Sequence, residues 1–362
     1  MRIAIIGDPI DQQKAGIHVY TKEMVKAMIE VNERHELYLI REKIDKQFDD
    51  IEQIEVKIGD FPGAAAWRKF VSVPRVLNQM KMDVVIEPAH FGPWNLKPSI
   101  KRVTIIHDLT PILFPQFHRR TSSLLQRIFL PAILKRTDLI IANSENTKSD
   151  ICKVYPNVCD KVVRIYPGVQ SIFRPVEAPD VLKNYGISKP YFLFVGTIEP
   201  RKNISTLLKA YQIYREQNEG SVKLVLVGGK GWKSKKIYSE IRNHHFSKDI
   251  IEPGYVKMAD LPALYSGAMG FIYPSLYEGF GFPVLEALSC GTPVLVAQNS
   301  SLIEVGGDIA TFFHEKDYIT LSEQMRRKLS INYNKKRSLE CEMYVKGFSW
   351  HDYAEKLFSA LN

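Results

Sequence analysis

The sequence predicts two α/β domains, each built on a doubly wound parallel sheet. Three observations lead there. The chain has 362 residues, more than one hydrophobic core usually organises. Short runs rich in Val and Ile alternate with helix-length segments from end to end. Several of these runs close on small or polar residues, as strands do at the edge of an open α/β sheet where ligands bind. A composition of 45% hydrophobic and 25% charged residues is that of a globular protein and excludes a disordered or fibrous class.

Strands are expected at 3–7, 37–40, 84–86, 103–107, 139–142 and 162–165 in the first half, and at 191–195, 223–227, 270–273 and 293–296 in the second. His107-Asp108, Gly196-Thr197 and Gly228-Gly229 follow three of them. Between the halves lies a turn-rich stretch, 166–175, with Pro167 and Pro175. It divides the chain into a first domain of residues 1–170 and a second beginning at 171.

Cys152, Cys159, Cys290 and Cys341 are scattered without metal-ligand spacing and read as free thiols of a reducing compartment. The apolar run 3–6 is too short for a signal peptide and is followed by Asp8, Asp11 and Lys14, so the expected location is cytoplasmic. No stretch reaches the ~18 apolar residues of a membrane span. The nearest, 261–276, is interrupted by Pro262, Gly267, Gly270 and Pro274. Any membrane contact is therefore expected to be peripheral, at the inner face. The net charge of +9 is local: residues 61–136 hold twelve Lys or Arg against Asp83, Glu87 and Asp108, whereas residues 1–60 carry nine bases and thirteen acids. Such a span attracts an anionic surface or substrate. Within it Trp67, Phe70 and Val71 stand at helical spacing beside Arg68 and Lys69, which suggests an anionic-membrane contact there. There is no helix-turn-helix, zinc spacing or aromatic RNA-binding motif, so no nucleic-acid partner is expected.

Three segments carry chemistry. The loop 7–16 places Gly16 before a helix expected from Ile17, where backbone amides can approach a phosphate. The G-x-G-x-x-G fingerprint is missing and no acid ends the second strand, which weakens a nicotinamide-dinucleotide reading. The segment 195–203 leaves a strand and enters a helix with Ile204, Leu207, Leu208 and Tyr211 on its apolar face. Arg201 and Lys202 stand at that entrance, where the helix dipole disfavours cations, and this points to an anionic ligand. The segment 273–288 holds Glu278 and Glu286 with seven residues between them, around a Gly-rich turn and a helix opened by Pro283. The turn frees the amides of residues 279–285 for a ligand. Glu286 sits in an apolar helix, where an unpaired carboxylate is costly.

The Glu278/Glu286 spacing, joined to Glu199-Pro200-Arg201-Lys202-Asn203, resembles the retaining glycosyltransferases of the GT-B fold. These belong to the large family that includes bacterial mannosyltransferases of cell-surface polysaccharide synthesis. Gly16-Ile17-His18-Val19-Tyr20, Ile106-His107-Asp108-Leu109, Ala142-Asn143-Ser144-Glu145, Gly254-Tyr255-Val256 and Phe348-Ser349-Trp350 match as well, so the resemblance covers nearly the whole chain. It implies two Rossmann-like domains facing across a cleft, the first acceptor-binding and completed by a C-terminal helix at about 348–362, the second, 171–347, donor-binding. That helix is expected to be capped by Ser349, with Trp350, Tyr353, Ala354, Leu357 and Phe358 on one stripe.

By the same resemblance, Arg201 and Lys202 take the donor diphosphate, whose charge grows as the glycosidic bond breaks. Glu278 binds the transferred sugar near its anomeric region and Glu286 the ribose. The backbone around Gly279, Phe280, Gly281, Val284 and Leu285 holds sugar and phosphate, Val256 lies by the base, and Gly16 closes on the diphosphate. His107 and Asp108 face sugar and acceptor, with His107 among the catalytic groups, and Glu87 and His90 are further acceptor contacts. No metal or other cofactor is implied, and there is no D-x-D; the acidic pairs Glu315/Asp317 and Glu340/Glu342 read as solvated helical faces. The expected donor is GDP-mannose, followed by UDP-sugars and deoxysugar nucleotides, and the expected acceptor is a saccharide or lipid-linked saccharide of a surface polysaccharide such as lipopolysaccharide. The competing class is a non-catalytic nucleotide-sugar-binding protein, against which the intact Arg201, Lys202, Glu278 and Glu286 argue.

Overall fold

A computed structural model of the protein describes residues 1–12, 15–92, 95–218, 220–329 and 335–362. Gln13 and Lys14 of the first loop lie outside the described residues. The chain forms two compact units: Met1–Pro115, Arg119–Gly168 and Phe348–Asn362 make the first, and Gln116–His118 with Val169–Gly347 the second.

The first unit is a seven-stranded parallel sheet of β1 (Arg2–Ile6), β2 (Glu36–Arg41), β3 (Glu52–Glu55), β4 (Val84–Glu87), β5 (Lys101–Ile106), β6 (Leu139–Ala142) and β7 (Val162–Arg164) in the order β3-β2-β1-β4-β5-β6-β7. β1 pairs with β2 on one side and β4 on the other, Ile5 lying opposite both Leu39 and Ile86. The winding reverses at that seam, so the residues that follow β1, β4 and β5 collect at one edge. The helices that bear on function here are α1 (Ala15–Val31), α2 (Arg120–Arg136) and α3 (Glu145–Val154). α2 buries Leu130 and Leu134 with Ile106, Ile140 and Ala142, each such side chain contributing about 1.5–3 kcal/mol. α3 begins where Ser144 Oγ accepts the Thr147 amide at 2.9 Å.

The second unit is a six-stranded parallel sheet of β8 (Tyr191–Val195), β9 (Lys223–Val227), β10 (Ile250–Gly254), β11 (Gly270–Tyr273), β12 (Val294–Ala297) and β13 (Thr311–Phe313), ordered β10-β9-β8-β11-β12-β13. Its reversal falls between β8 and β11. The loops leaving those two strands lead into α4 (Ile204–Gln217) and α5 (Phe282–Ser289). Ile204, Leu207, Leu208 and Tyr211 of α4 are all buried, as the 3.6-residue period requires.

The last helix, α6 (Trp350–Leu361), belongs to the first unit. Ser349 caps it, accepting the Asp352 amide at 3.3 Å. Trp350, Tyr353, Ala354 and Leu357 are buried. Tyr20 OH donates to Tyr353 OH at 2.7 Å, and Lys101 Nζ donates to the Leu361 carbonyl at 2.7 Å.

Three sequence expectations are corrected. Cys152 and Cys159 are joined in a disulfide rather than standing as thiols. α3 ends at Val154 and a tight turn from Pro156 brings Cys159 back until the two Cα atoms are 4.8 Å apart; Cys290 and Cys341 are buried thiols. Second, the cations beside Trp67 do not form an outward basic face. Arg68 is only 2% exposed and pairs with Asp8 at 2.6 Å, while Lys69 pairs with Glu87 at 3.4 Å. The helix runs through a π turn at Arg68–Ser72 that swings both side chains inward, leaving Trp67 exposed without them. Third, Asp317 is no solvated helical face: its carboxylate accepts the Thr320 amide at 2.9 Å and opens the helix Tyr318–Leu329.

Candidate active site

The second unit's predicted residues converge where β8 and β11 end. After β8 the chain makes a tight turn at Pro200–Lys202, and Asn203 turns it into α4 in the left-handed region at φ 54°. The Asn203 amide group donates to the carbonyls of Pro274 at 3.1 Å and Glu315 at 2.6 Å, which fixes that turn against the loop after β11. Gly281 caps α5 at φ 111°, and a Cβ there would meet the Leu302 side chain. Both loops are thereby held without freedom to drift.

Glu278 is the centre of the cluster. Its Oε2 accepts from Arg201 Nη1 at 2.8 Å and its Oε1 from Lys202 Nζ at 2.6 Å. Ser275 Oγ donates to Oε1 at 2.5 Å, and Tyr273 OH lies 3.1 Å from it. Burial alone would raise this carboxyl, but Arg201 and Lys202 outweigh it and hold the group down at about 2. Lys202 is buried, which lowers its pKa; Arg201 adds to that and Glu278 opposes it. Its Nζ also donates to Tyr273 OH at 2.7 Å. Arg201 reaches Glu199 at 3.0 Å and the Tyr277 carbonyl at 2.7 Å. Two acids thus balance the two cations that the sequence left unopposed at the entrance to α4. An arriving anion gains the cations only by sharing them with Glu278 and Glu199, which suits a ligand bringing both phosphate charge and hydroxyl donors.

Glu286 lies one helix further on. Its Oε2 accepts from Tyr265 OH at 2.8 Å, and burial in the apolar helix pushes its pKa to about 7 although part of the side chain keeps contact with solvent. Val284 and Leu285 are fully buried side chains, Phe280 is 3% and Val256 4% exposed. The expectation that the amides of residues 279–285 are open to a ligand is narrowed: Pro283 has no N–H, and Val284 N–H donates to the Gly281 carbonyl at 3.0 Å, while just before the turn Glu278 N–H donates to Ser300 Oγ at 3.0 Å. Gly279 sits between them in the turn.

In the first unit Gly16 is exposed in the first turn of α1, with no atom near the place of a Cβ. His107 follows β5. Its Nε2 lies 2.7 Å from the Pro88 carbonyl, and since a carbonyl only accepts, that nitrogen carries the proton and Nδ1 is left as the acceptor. Its backbone N–H donates to His90 Nε2 at 2.8 Å, which leaves that ring nitrogen without a proton; burial lowers the pKa of both rings, that of His90 to about 4. His90 adopts φ 65° and, at 7% exposure, holds the β5 loop from beneath. Asp108 accepts the amide of Thr110 at 2.8 Å and its hydroxyl at 2.5 Å. Glu87 is 1% exposed: it accepts the Ala89 amide at 3.0 Å, pairs with Lys69, and lines a small pocket with Gly92, Arg102 and Thr104. Burial raises it to about 7.

Tyr273 and Ser275 lie in the segment 273–288 with no role legible from the sequence, and only the fold shows that they orient Glu278 and Lys202. Among the described residues, the cluster of histidine and carboxylates close enough to share an ion is His351, Asp352 and Glu355, all exposed on α6 and none a predicted site residue.

Two parallel-sheet units, with cations and acids gathered at the reversal of the second, define a glycosyltransferase of the GT-B fold, and comparison with known proteins agrees. Residues 182–342 match the family described as glycosyl transferases group 1, and residues 15–171 match glycosyltransferase family 4. The chain is 30% identical over 351 residues to O-antigen chain mannosyltransferase B of Escherichia coli, covering 91% of each. It is 27% identical over 225 residues to the O-antigen chain mannosyltransferase RfbU of Salmonella typhimurium, 61% of this chain and 59% of that one. The chain belongs to the group 1 glycosyltransferases. Its fold is shared with sucrose-phosphate synthase from Thermosynechococcus elongatus (TM-score 0.76, 18% identity, 99% and 98% of the two chains) and with WaaG, a glycosyltransferase involved in lipopolysaccharide biosynthesis (TM-score 0.71, 16% identity, 99% and 98%).

Proposed function

We propose that the protein is a retaining mannosyltransferase that moves mannose from GDP-mannose onto a saccharide or lipid-linked saccharide during surface polysaccharide synthesis in the cytoplasm. The observation that carries this reading is the full-length similarity to an O-antigen mannosyltransferase in a chain whose Arg201, Lys202 and Glu278 form one hydrogen-bonded cluster. Arg201 and Lys202 take the diphosphate and stabilise the charge that develops on it as the sugar departs. Glu278, kept anionic, holds the sugar hydroxyls near the anomeric carbon, and Glu286 holds the ribose. The turn at Gly279 to Gly281 and the start of α5 receive sugar and phosphate, Val256 the base, and Gly16 the diphosphate. The acceptor attacks from the face the leaving group quits, and the leaving phosphate takes its proton. His107, with Nδ1 open, and Asp108 contact sugar and acceptor, while His90 and Glu87 support them from within.

The cations do the work of a metal, so chelation with EDTA is expected to leave most activity in place; complete loss restored by magnesium or manganese would refute the metal-free reading. The decisive experiment incubates purified protein with a panel of nucleotide sugars and reads sugar release and transfer. GDP-mannose is expected to be consumed fastest. Preference for a UDP-sugar or a deoxysugar nucleotide would move the donor within the family, and binding without consumption of any donor would favour a non-catalytic binding protein.

A further inference from the structure

Aromatic residues from opposite ends of the chain meet beside His107, all of them inside the first unit. Tyr20 of α1 is fully buried, and its ring stands at 90° to the His107 imidazole with 4.6 Å between centroids. That is the separation and attitude of an edge-to-face pair. Tyr20 is in turn held by α6: its ring meets Trp350 at 5.2 Å and Tyr353 at 5.7 Å, both near perpendicular, and its hydroxyl donates to Tyr353 OH at 2.7 Å. Tyr353 OH donates onward to Met24 Sδ at 3.8 Å, a weak acceptor. Trp350 is backed by Gly168, where even a Cβ would collide with its amide nitrogen and its indole ring.

The imidazole needs such a wall. Its Nε2 donates to the Pro88 carbonyl, and a single hydrogen bond leaves a ring free to rock about the bond. His90 bonds the backbone of His107 rather than its ring, and the two rings are 5.6 Å apart, farther than Tyr20. Asp108 is engaged with Thr110. Tyr20 therefore sets the tilt of the imidazole. Filling space does not call for two hydroxyls there, since phenylalanine has the same ring and replacing both partners of a buried hydrogen bond by apolar groups is close to neutral for stability. What the hydroxyl pair adds is a fixed angle, because it ties the Tyr20 ring to α6.

We infer that Tyr20 and Tyr353 are positioning residues for His107: through their hydroxyl pair the last helix holds the imidazole in one orientation, with Nε2 protonated against Pro88 and Nδ1 kept for the substrates. The inference rests on the reading that His107 contacts sugar and acceptor. It gives α6 a part in the reaction besides covering α1.

Two measurements on the full-length protein test it: NMR of isotope-labelled histidine, with the His107 ring assigned by its loss in His107→Asn, and GDP release from GDP-mannose. The parent is expected to show His107 as a single Nε2-protonated tautomer. Tyr20→Phe and Tyr353→Phe are each expected to mix the tautomers or broaden the ring signal, and to lower kcat about 3–10-fold with donor KM little changed. The double variant is expected to keep the parent's melting temperature and to fall no further in kcat than either single change, since both act through one bond. Tyr20→Leu, which removes the ring as well, is expected to lower kcat roughly 10–100-fold. A double variant with the parent's ring signal or the parent's kcat overturns the proposal. So does a loss of kcat that merely follows the melting temperatures of the variants, the mark of a structural role. GDP release by His107→Asn at the parent's rate would refute the reading of His107 and leave the hydroxyl pair nothing to position. If the parent releases no GDP, the GDP-mannose reading fails, and the ring signals still decide whether the pair holds the imidazole.

Discussion

Replacing Glu278 by Gln preserves the shape of the side chain and removes the anion that Arg201 and Lys202 share. Transfer is expected to fall at least ~100-fold at saturating donor while circular dichroism stays native, because the loss falls on charge placement at the reacting centre; turnover within a few-fold of the parent would remove Glu278 from the site. Tyr273→Phe deletes only the hydroxyl between Lys202 and Glu278. A fall of roughly 3–10-fold in kcat with donor KM little changed is expected, in line with the loss of one hydrogen bond to a charged group. Glu286 behaves oppositely to Glu278 with pH. Its folded pKa of about 7 lies above the ordinary 4.5, so the stability tied to its protonated form is complete below about 4.5 and is lost as pH rises to about 7. Glu286→Gln is therefore expected to stabilise the protein at pH 8 relative to the parent by up to about 2 kcal/mol, read as a higher melting temperature, and to leave the melting temperature unchanged near pH 4. For Glu278, held at about 2, the stability is present above about 4.5 and disappears as pH falls toward 2. The cations and both glutamates of this site stood out in the sequence through their spacing. Tyr273 and Ser275 did not, because a tyrosine and a serine at the end of an apolar strand carry no signal until Lys202, 71 residues earlier in the chain, is seen against them.

At the scale of elements, the strands that were foreseen have apolar runs and the three that were not lie at sheet edges. β3, β10 and β13 each end a sheet. β3 reads EQIE, β10 contains Pro253 and β13 has three residues. An edge strand pairs on one side only and keeps charge or Pro to deter further pairing, so it lacks the run by which central strands are recognised. The short helix Asp8–Gln12 was missed for a related reason: its Asp8 and Asp11 look like loop residues until Arg68 and Arg41 pair with them. The disulfide between α3 and the turn after it spans a short loop, so its removal is expected to cost no more than about 2.5 kcal/mol. Cys152→Ser/Cys159→Ser is expected to stay folded and active, with a melting temperature a few degrees lower. Activity lost on that replacement, with the fold retained, would give the pair a role beyond stability.

At the scale of the whole molecule, the division of the chain at 168 and the return at 348 mean that the first unit is discontinuous in sequence. Truncation before Phe348 is expected to leave the second unit's cooperative transition in place and to abolish that of the first, read as one lost step in urea unfolding. Single replacement of Leu357 by Ala, a side chain with no exposure, is expected to cost about 2–5 kcal/mol in the first unit alone. The hydroxyl pair of Tyr20 and Tyr353 joins residues 333 positions apart. During synthesis this has an ordering effect. The residues before 168 cannot finish their own fold when they leave the ribosome; α1 waits with the face that α6 covers still bare while residues 169–347 of the second unit are made, and is closed only when α6 follows. A chain cut short anywhere within the second unit therefore carries an unfinished first unit, however well the segments before the cut have folded.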